Sequence, residues 1–232
     1  MSNFLGRVLA NSIIRSVGAT AEELTDERRI REYLEIYSVK FRHSVKIDPR
    51  ALPHYRFHLV RGRDKRLLGG FVVHANKEFN RTLSLAPKHV ASHPALGGEL
   101  SELCMLFKGD RVSKIESGAL LLLGVKSAAA LAPTIVCVAV EQKTFDIYRR
   151  YIPHVAFEGT SPTLNCRVWV VYSGRDEFYY NVLTAAPSDV LMRVLRKQTY
   201  RRTRTHVACL DPNSAMTFGS RDSCADLSHR SG

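Results

Sequence analysis

The residues best placed to do chemistry lie between positions 99 and 151. Glu99 and Glu102 stand three residues apart in Glu99-Leu-Ser-Glu-Leu-Cys-Met-Leu-Phe107, which passes from alternating to wholly apolar like a strand entering a core. In a strand that spacing turns the two carboxylates to opposite faces, so one of them can meet a substrate. Each is either a candidate general base or a charge that solubilises a strand end. Lys108-Gly-Asp-Arg-Val-Ser-Lys114 then leads through Ser117-Gly118-Ala119 into a Leu- and Ala-rich run. A phosphate needs backbone N–H donors at a helix start with positive charge nearby. Arg111 and Lys114 supply the charge, and Ser117-Gly118 a hydroxyl and close backbone approach. Ser117 would serve equally as an N-cap.

Other reactive types are less promising. Cys104 sits inside the apolar stretch with no evident His partner and reads as a buried, inert thiol. The five Cys (104, 137, 166, 209 and 224) form no Cys-x-x-Cys pair, and the nine His show no His-x-His or His-x-x-x-His placement. No metal site is expected. Arg193, Arg196, Lys197, Arg201, Arg202 and Arg204 form an acid-free run with Tyr200 among them. That run is either a phosphate-contacting patch or a solvated basic helix end.

The chain's 232 residues and net charge of +12 favour anionic partners, among them nucleic acid, phosphorylated cofactors, acidic carrier proteins and acidic membrane surfaces. With 45% hydrophobic and 24% charged residues, the composition excludes a mainly disordered or fibrous protein. An odd Cys count at irregular intervals argues against a disulfide scaffold and for a reducing, cytoplasmic location. The longest apolar run, Ala128 to Val140, is broken by Pro133 and falls short of the ~20 residues that cross a bilayer.

These candidates need elements to position them. Phe4, Leu5, Val8, Leu9, Ile13, Ile14 and Val17 make a helical stripe that covers a core. A second helix is expected from Thr20 to Ser38, with acids in its first turns. Tyr55–Val60 and Leu67–Ala75 form a hairpin about the Arg61–Arg66 turn. Leu100–Phe107 and Thr134–Val140 read as parallel strands joined by a Ser117–Leu131 helix. A helix over Glu141–Tyr151, strands at His154–Glu158 and Arg167–Tyr172, and a helix within 182–200 complete one domain over 1–208. Residues 209–232, rich in Ser, Asp, Arg and Gly, read as a disordered tail.

The order of these segments resembles the GNAT acyltransferase superfamily across roughly 55–172. The strand 99–107, the basic turn, the helix, the strand Thr134-Ile-Val-Cys-Val-Ala-Val140, Phe145-Asp-Ile-Tyr148 and His154-Val-Ala-Phe-Glu-Gly159 follow the family's sequence of parts. The family's phosphate turn, Arg/Gln-x-x-Gly-x-Gly/Ala, falls on Lys114-x-x-Ser117-x-Ala119. Glu99-Leu-Ser101 is also similar to the Glu-x-Ser of acyl-homoserine lactone synthases and N-acyl amino acid synthases, with Glu102 where those enzymes place Arg.

The resemblance implies an α/β fold with a mixed, mostly antiparallel sheet and a central parallel pair flanked by helices. It implies an N-acyltransferase that uses acyl-CoA or an acyl carrier protein and an amine acceptor. Arg111, Val112, Ser113, Lys114, Ser117, Gly118 and Ala119 would hold the donor's pyrophosphate. The amides near Met105 and Leu106 would polarise the acyl carbonyl, Glu99 or Glu102 would take the amine's proton, and Tyr148 would protonate the thiolate. Tyr151, at i+3, is a possible substitute, and the opposing view of Tyr148 is a core aromatic. A competing reading is a basic nucleic-acid-binding or interaction protein on an inactive scaffold, using the 193–204 patch. That patch would alternatively dock an acidic acyl carrier protein.

Overall fold

The computed structural model describes residues 2–41 and 47–185. The 193–204 patch, the 209–232 segment, and the expected 182–200 helix beyond Ala185 lie outside them.

The described residues run α1 (Ser2–Val17), β1 (Thr20–Leu24), α2 (Glu27–Phe41), β2 (Arg56–Arg61), β3 (Leu67–His74), α3 (Arg81–Ser84), β4 (Leu100–Lys108), α4 (Lys114–Ala129), β5 (Thr134–Ala139), α5 (Gln142–Tyr148), β6 (His154–Thr160), β7 (Arg167–Gly174) and α6 (Arg175–Ala185). The strands form one sheet in the order β1-β2-β3-β4-β5-β7-β6. β4 and β5 are parallel, and every other neighbouring pair is antiparallel. The expected mixed sheet with one central parallel pair is the sheet observed.

Helices cover both faces. On one, α2 packs over Phe57, Val72, Cys104, Met105 and Phe107 through Ile30, Tyr33, Leu34 and Tyr37. On the other, α4 lies across the sheet with Ala119, Leu120, Leu121, Gly124, Val125 and Ala128 buried. Its long apolar run suits a helix enclosed by the sheet and by α1. The N-terminal stripe buries Leu9, Ala10 and Ile14, while Phe4 and Leu5 stay exposed. Gly6 permits α1 to meet α6, since a Cβ there would stand 1.9 Å from the Tyr179 carbonyl oxygen. Arg7 and Asp176 bind across the same contact at 2.8 Å.

Two expected boundaries are corrected. The proposed Thr20–Ser38 helix is two elements, an edge strand and then α2. Thr20–Leu24 pairs residue by residue with Arg61–Phe57, so tertiary pairing overrides a helix-like run of acids. The Asp26 carboxylate accepts the Arg29 amide at 3.0 Å and so starts α2 after the strand. The helix expected from Ser117 starts at Lys114, because Ser113 is its N-cap and Ser113-x-x-Glu116 closes a reciprocal capping box. α6 follows β7 directly and takes in 182–185 of the expected 182–200 helix, the rest of which lies outside the described residues.

Candidate functional site

The parallel pair is short. β4 and β5 pair over Leu100–Glu102 and Thr134–Val136, yet β4 continues to Lys108 and β5 to Ala139. β5 keeps its full register with β7, and β4 stays with β3. The sheet therefore parts between its two halves beyond Glu102. At that point β4 also bulges. Its register with β3 jumps between Gly70 and Val72, so Met105 and Leu106 together face the single residue Phe71. Met105 takes a left-handed backbone, φ +46°. Met105 and Leu106 form no ladder pair with either neighbouring strand, beside the point where the sheet parts.

Tyr37 (α2), Tyr55 and Tyr148 (α5) each stand near enough to Cys104 (β4) to feel it electrostatically. Burial pushes Tyr37 up to about 12. Burial likewise lifts Tyr148 well above the usual tyrosine range, with Cys137, Tyr37 and Cys104 adding to the rise. Burial also raises Cys104, which keeps its thiol protonated and inert, as expected from the sequence. The Arg81 guanidinium is the positive charge that opposes these rises at Tyr37, Tyr55 and Cys104.

The Tyr148 side chain is buried, and its hydroxyl makes no hydrogen bond to a described residue. Tyr151 goes elsewhere, because α5 ends at Tyr148. The Tyr151 ring lies 6.4 Å from Phe178 and its carbonyl accepts from Asn181 at 3.3 Å, both on α6. The i+3 relation assumed between the two tyrosines fails because the helix stops too soon.

The two carboxylates part company. Glu99 is exposed and precedes β4. Glu102 is fully buried and accepts from four donors: the amides of Arg81 (2.8 Å) and Thr82 (2.6 Å), the Thr82 hydroxyl (2.7 Å) and His74 Nε2 (2.5 Å). It thereby ties α3 and β3 to the head of β4, on the face it shares with Cys104. The ligand atoms of His74, Glu102 and Cys104 converge within 4.8 Å, a grouping no sequence spacing announced. Hydrogen bonds join Glu102 and His74 of this group into one polar node.

The basic turn after β4 is braced from two sides. Arg66 donates to the Arg111 carbonyl at 2.8 Å and to the Glu116 carboxylate at 2.6 Å. Lys40 holds Asp110 at 2.5 Å and keeps that carboxyl below its usual range. Arg111 is exposed with φ +55°, Val112 is buried, and Ser113 caps α4. Lys114 is exposed at the first helical position. Ser117-Gly118-Ala119 cannot offer the expected amides, because these residues lie inside the helix: the Ser117 amide is bound to the Ser113 carbonyl at 2.9 Å. The Glu116 carboxylate accepts the Ser113 amide at 2.8 Å, and Ser113 Oγ accepts the Glu116 amide at 3.3 Å. The open first-turn amides are those of Lys114 and Ile115.

No family model matches the chain, and no curated protein sequence does. Solved structures do. FeeM, an N-acyl amino acid synthase from uncultured soil microbes, superposes with a TM-score of 0.56 at 14% identity, covering 72% of this chain and 96% of that one. The CoA-dependent acyl-homoserine lactone synthase MesI gives 0.44 at 16% identity, covering 72% and 95%. Spermidine N-acetyltransferase from Vibrio cholerae, solved with CoA and spermine, gives 0.44 at 10% identity, covering 69% and 98%. The first superposition carries the conclusion: the chain has the GNAT acyltransferase fold.

Proposed function

We propose that the protein is an N-acyltransferase that moves an acyl group from acyl-CoA or an acyl carrier protein to an amine. The observation that carries this reading is the parting of β4 from β5 beside a bulge at Met105 and Leu106 that pairs with neither strand. A slot between strands offers backbone donors and acceptors to an extended, amide-bearing chain. The pantetheine arm shared by coenzyme A and acyl carrier proteins is such a chain.

In this reading the donor's phosphates lie at the braced turn, against Arg111, Lys114 and the first-turn amides of α4. Ser113 and Val112 shape that turn, and Ser117, Gly118 and Ala119 support it from within the helix. The thioester carbonyl lies beside Met105 and Leu106, whose amides stabilise the developing oxyanion. The amine nitrogen bonds to the carbonyl carbon, the C–S bond breaks, and the sulfur leaves as a thiolate. The amine's proton goes to Glu99 or Glu102. Glu99 is open to it, whereas Glu102 must first release one of its four donors. Tyr148 meets the thiolate. With its pKa raised above the tyrosine range and a thiol's near 8.5, the hydroxyl keeps its proton and stabilises the thiolate by a hydrogen bond. A cytoplasmic location agrees with the free, buried thiols of Cys104 and Cys137. Among the described residues no helix is long and apolar enough to cross a membrane.

Acetyl-CoA, a long-chain acyl-CoA and an acyl carrier protein, compared in parallel by thermal shift, identify the donor. Reversing Arg111 and Lys114 together to Glu is expected to weaken donor binding at least tenfold, since each charge-assisted contact is worth ~1.5–3 kcal/mol. An unchanged dissociation constant would overturn the phosphate assignment. Binding of nucleic acid without binding of any acyl donor would overturn the acyltransferase reading itself.

A further inference from the structure

We infer that Tyr33 is a positioning residue for acyl transfer: it fixes the Met105–Leu106 peptide so that the Leu106 N–H is held available to the acyl carbonyl. The inference rests on the acyltransferase reading for its chemistry, but on geometry for its mechanism. The Tyr33 hydroxyl donates to the Met105 carbonyl at 2.7 Å within the core. In a planar trans peptide the carbonyl and the following N–H point in opposite directions. Binding the Met105 oxygen from the α2 side therefore turns the Leu106 N–H away from α2. Leu106 forms no ladder pair, because the β3 register skips the bulge and β5 stops pairing at Glu102.

The tyrosine itself has no freedom. Its ring meets Phe57 edge-on at 5.4 Å and Phe107 at 5.2 Å. Gly70 makes room for it, since a Cβ there would stand 2.5 Å from Tyr33 Cε2. Burial raises the Tyr33 hydroxyl well above the tyrosine range, so it remains a donor at any working pH. Met105 is not a glycine, and a side chain in the left-handed region needs such external support. The hydroxyl, the two aromatic clamps and the cleared space on β3 converge on one peptide bond.

The test uses the full chain with carbonyl-13C acetyl-CoA as probe. In the wild type the bound thioester's infrared carbonyl band is expected to lie below that of free acetyl-CoA. In Tyr33→Phe, which keeps the ring and loses only the oxygen, the band should return toward the free value. Turnover should then fall about tenfold, a fraction of what losing an oxyanion donor outright costs. The acetyl-CoA dissociation constant should stay within about twofold, because the phosphate contacts are untouched. Adding Met105→Gly to Tyr33→Phe should restore part of both signals, since glycine enters the left-handed region without help. A purely structural anchor of α2 would gain nothing from that glycine. An unmoved band and unchanged turnover in Tyr33→Phe, whatever its melting temperature, would overturn the inference while leaving the acyltransferase reading intact. A wild type that binds no acyl donor would defeat the reading instead. The Met105 φ in a crystal structure of Tyr33→Phe then decides the positional claim: retention of the left-handed geometry overturns it, and its loss supports it.

Discussion

Three residues of β4 separate two opposite treatments of a polar group. At Glu102 a buried carboxylate is surrounded by four donors drawn from β3 and α3. At Met105 and Leu106 the backbone itself goes unclaimed by either neighbouring strand. A polar atom sealed in a core without a partner costs free energy, so the first arrangement is what stability demands. At the second the sheet opens, and in the acyltransferase reading proposed above the acyl donor supplies an acceptor there. The Glu102 carboxylate is satisfied at the head of β4, where His74 Nδ1 is left buried without a partner among the described residues, and in the proposed reading the unpaired bulge is the working end.

The largest expected effect comes from breaking the complete side of this contrast. Glu102→Ala leaves two amides, a hydroxyl and an imidazole without their acceptor, at ~1–3 kcal/mol for each group left unsatisfied. Urea unfolding should show a loss of about 3 kcal/mol or more, whereas Glu99→Gln, at an exposed site, should leave the midpoint where it was. Equal, small losses in the two variants would mean that the node does not hold α3 and β3 to β4.

The open side is probed next. Tyr148→Phe removes a hydroxyl that no described residue satisfies, so stability should barely change. Turnover should fall by about ten- to a hundredfold, the worth of one hydrogen bond to a charged group. Donor affinity should persist, and full turnover in the variant would remove Tyr148 from the chemistry.

The smallest effect concerns a third kind of polar group. His58 is buried against Phe71, ring centroids 4.8 Å apart, with neither ring nitrogen hydrogen-bonded. Burial lowers its pKa from the ordinary value near 6.5. Its folded form therefore binds protons less readily than the unfolded chain. Stability is complete above the unfolded pKa and is lost as pH falls below about 6.5 toward the lowered folded value. Denaturation midpoints at pH 7.5 and 5.5 should differ in that direction, and His58→Leu should flatten the difference. A slope that persists in the variant would assign it to other groups.

The architecture was legible where local pattern and tertiary context agree. The apolar runs of β4, α4 and β5 are long, and their order suffices to place one parallel pair in a mixed sheet. β1 was misread because Glu22 and Glu23 look like helix-start acids, although they lie on an edge strand where Glu22 meets Arg29 at 2.6 Å. The start of α4 is legible in Ser113-x-x-Glu116, but the resemblance to a phosphate turn over Lys114–Ala119 draws the helix start to Ser117. The site was less legible. Met105 and Leu106 could be named as amides, but nothing local shows that Tyr33, 72 residues earlier, holds their peptide bond. The partners of Glu102 come from 20 to 28 residues away. Such pairings depend on sheet register and loop return, which residue spacing does not encode.

The two outer strands bear on how the protein keeps to itself. β1 is five residues long, with Glu22 and Glu23 on it and four of its side chains exposed. At the far margin, β6 breaks register between Val155 and Phe157, and its exposed Glu158 is bound by Arg167. An unprotected strand margin is a template for addition of further strands and for aggregation. A short charged strand on one side and a kinked one on the other deny that template at both margins. The internal slot, unlike the margins, is enclosed by its own sheet, so the unpaired stretch of β4 there offers no free edge to a second copy of the chain.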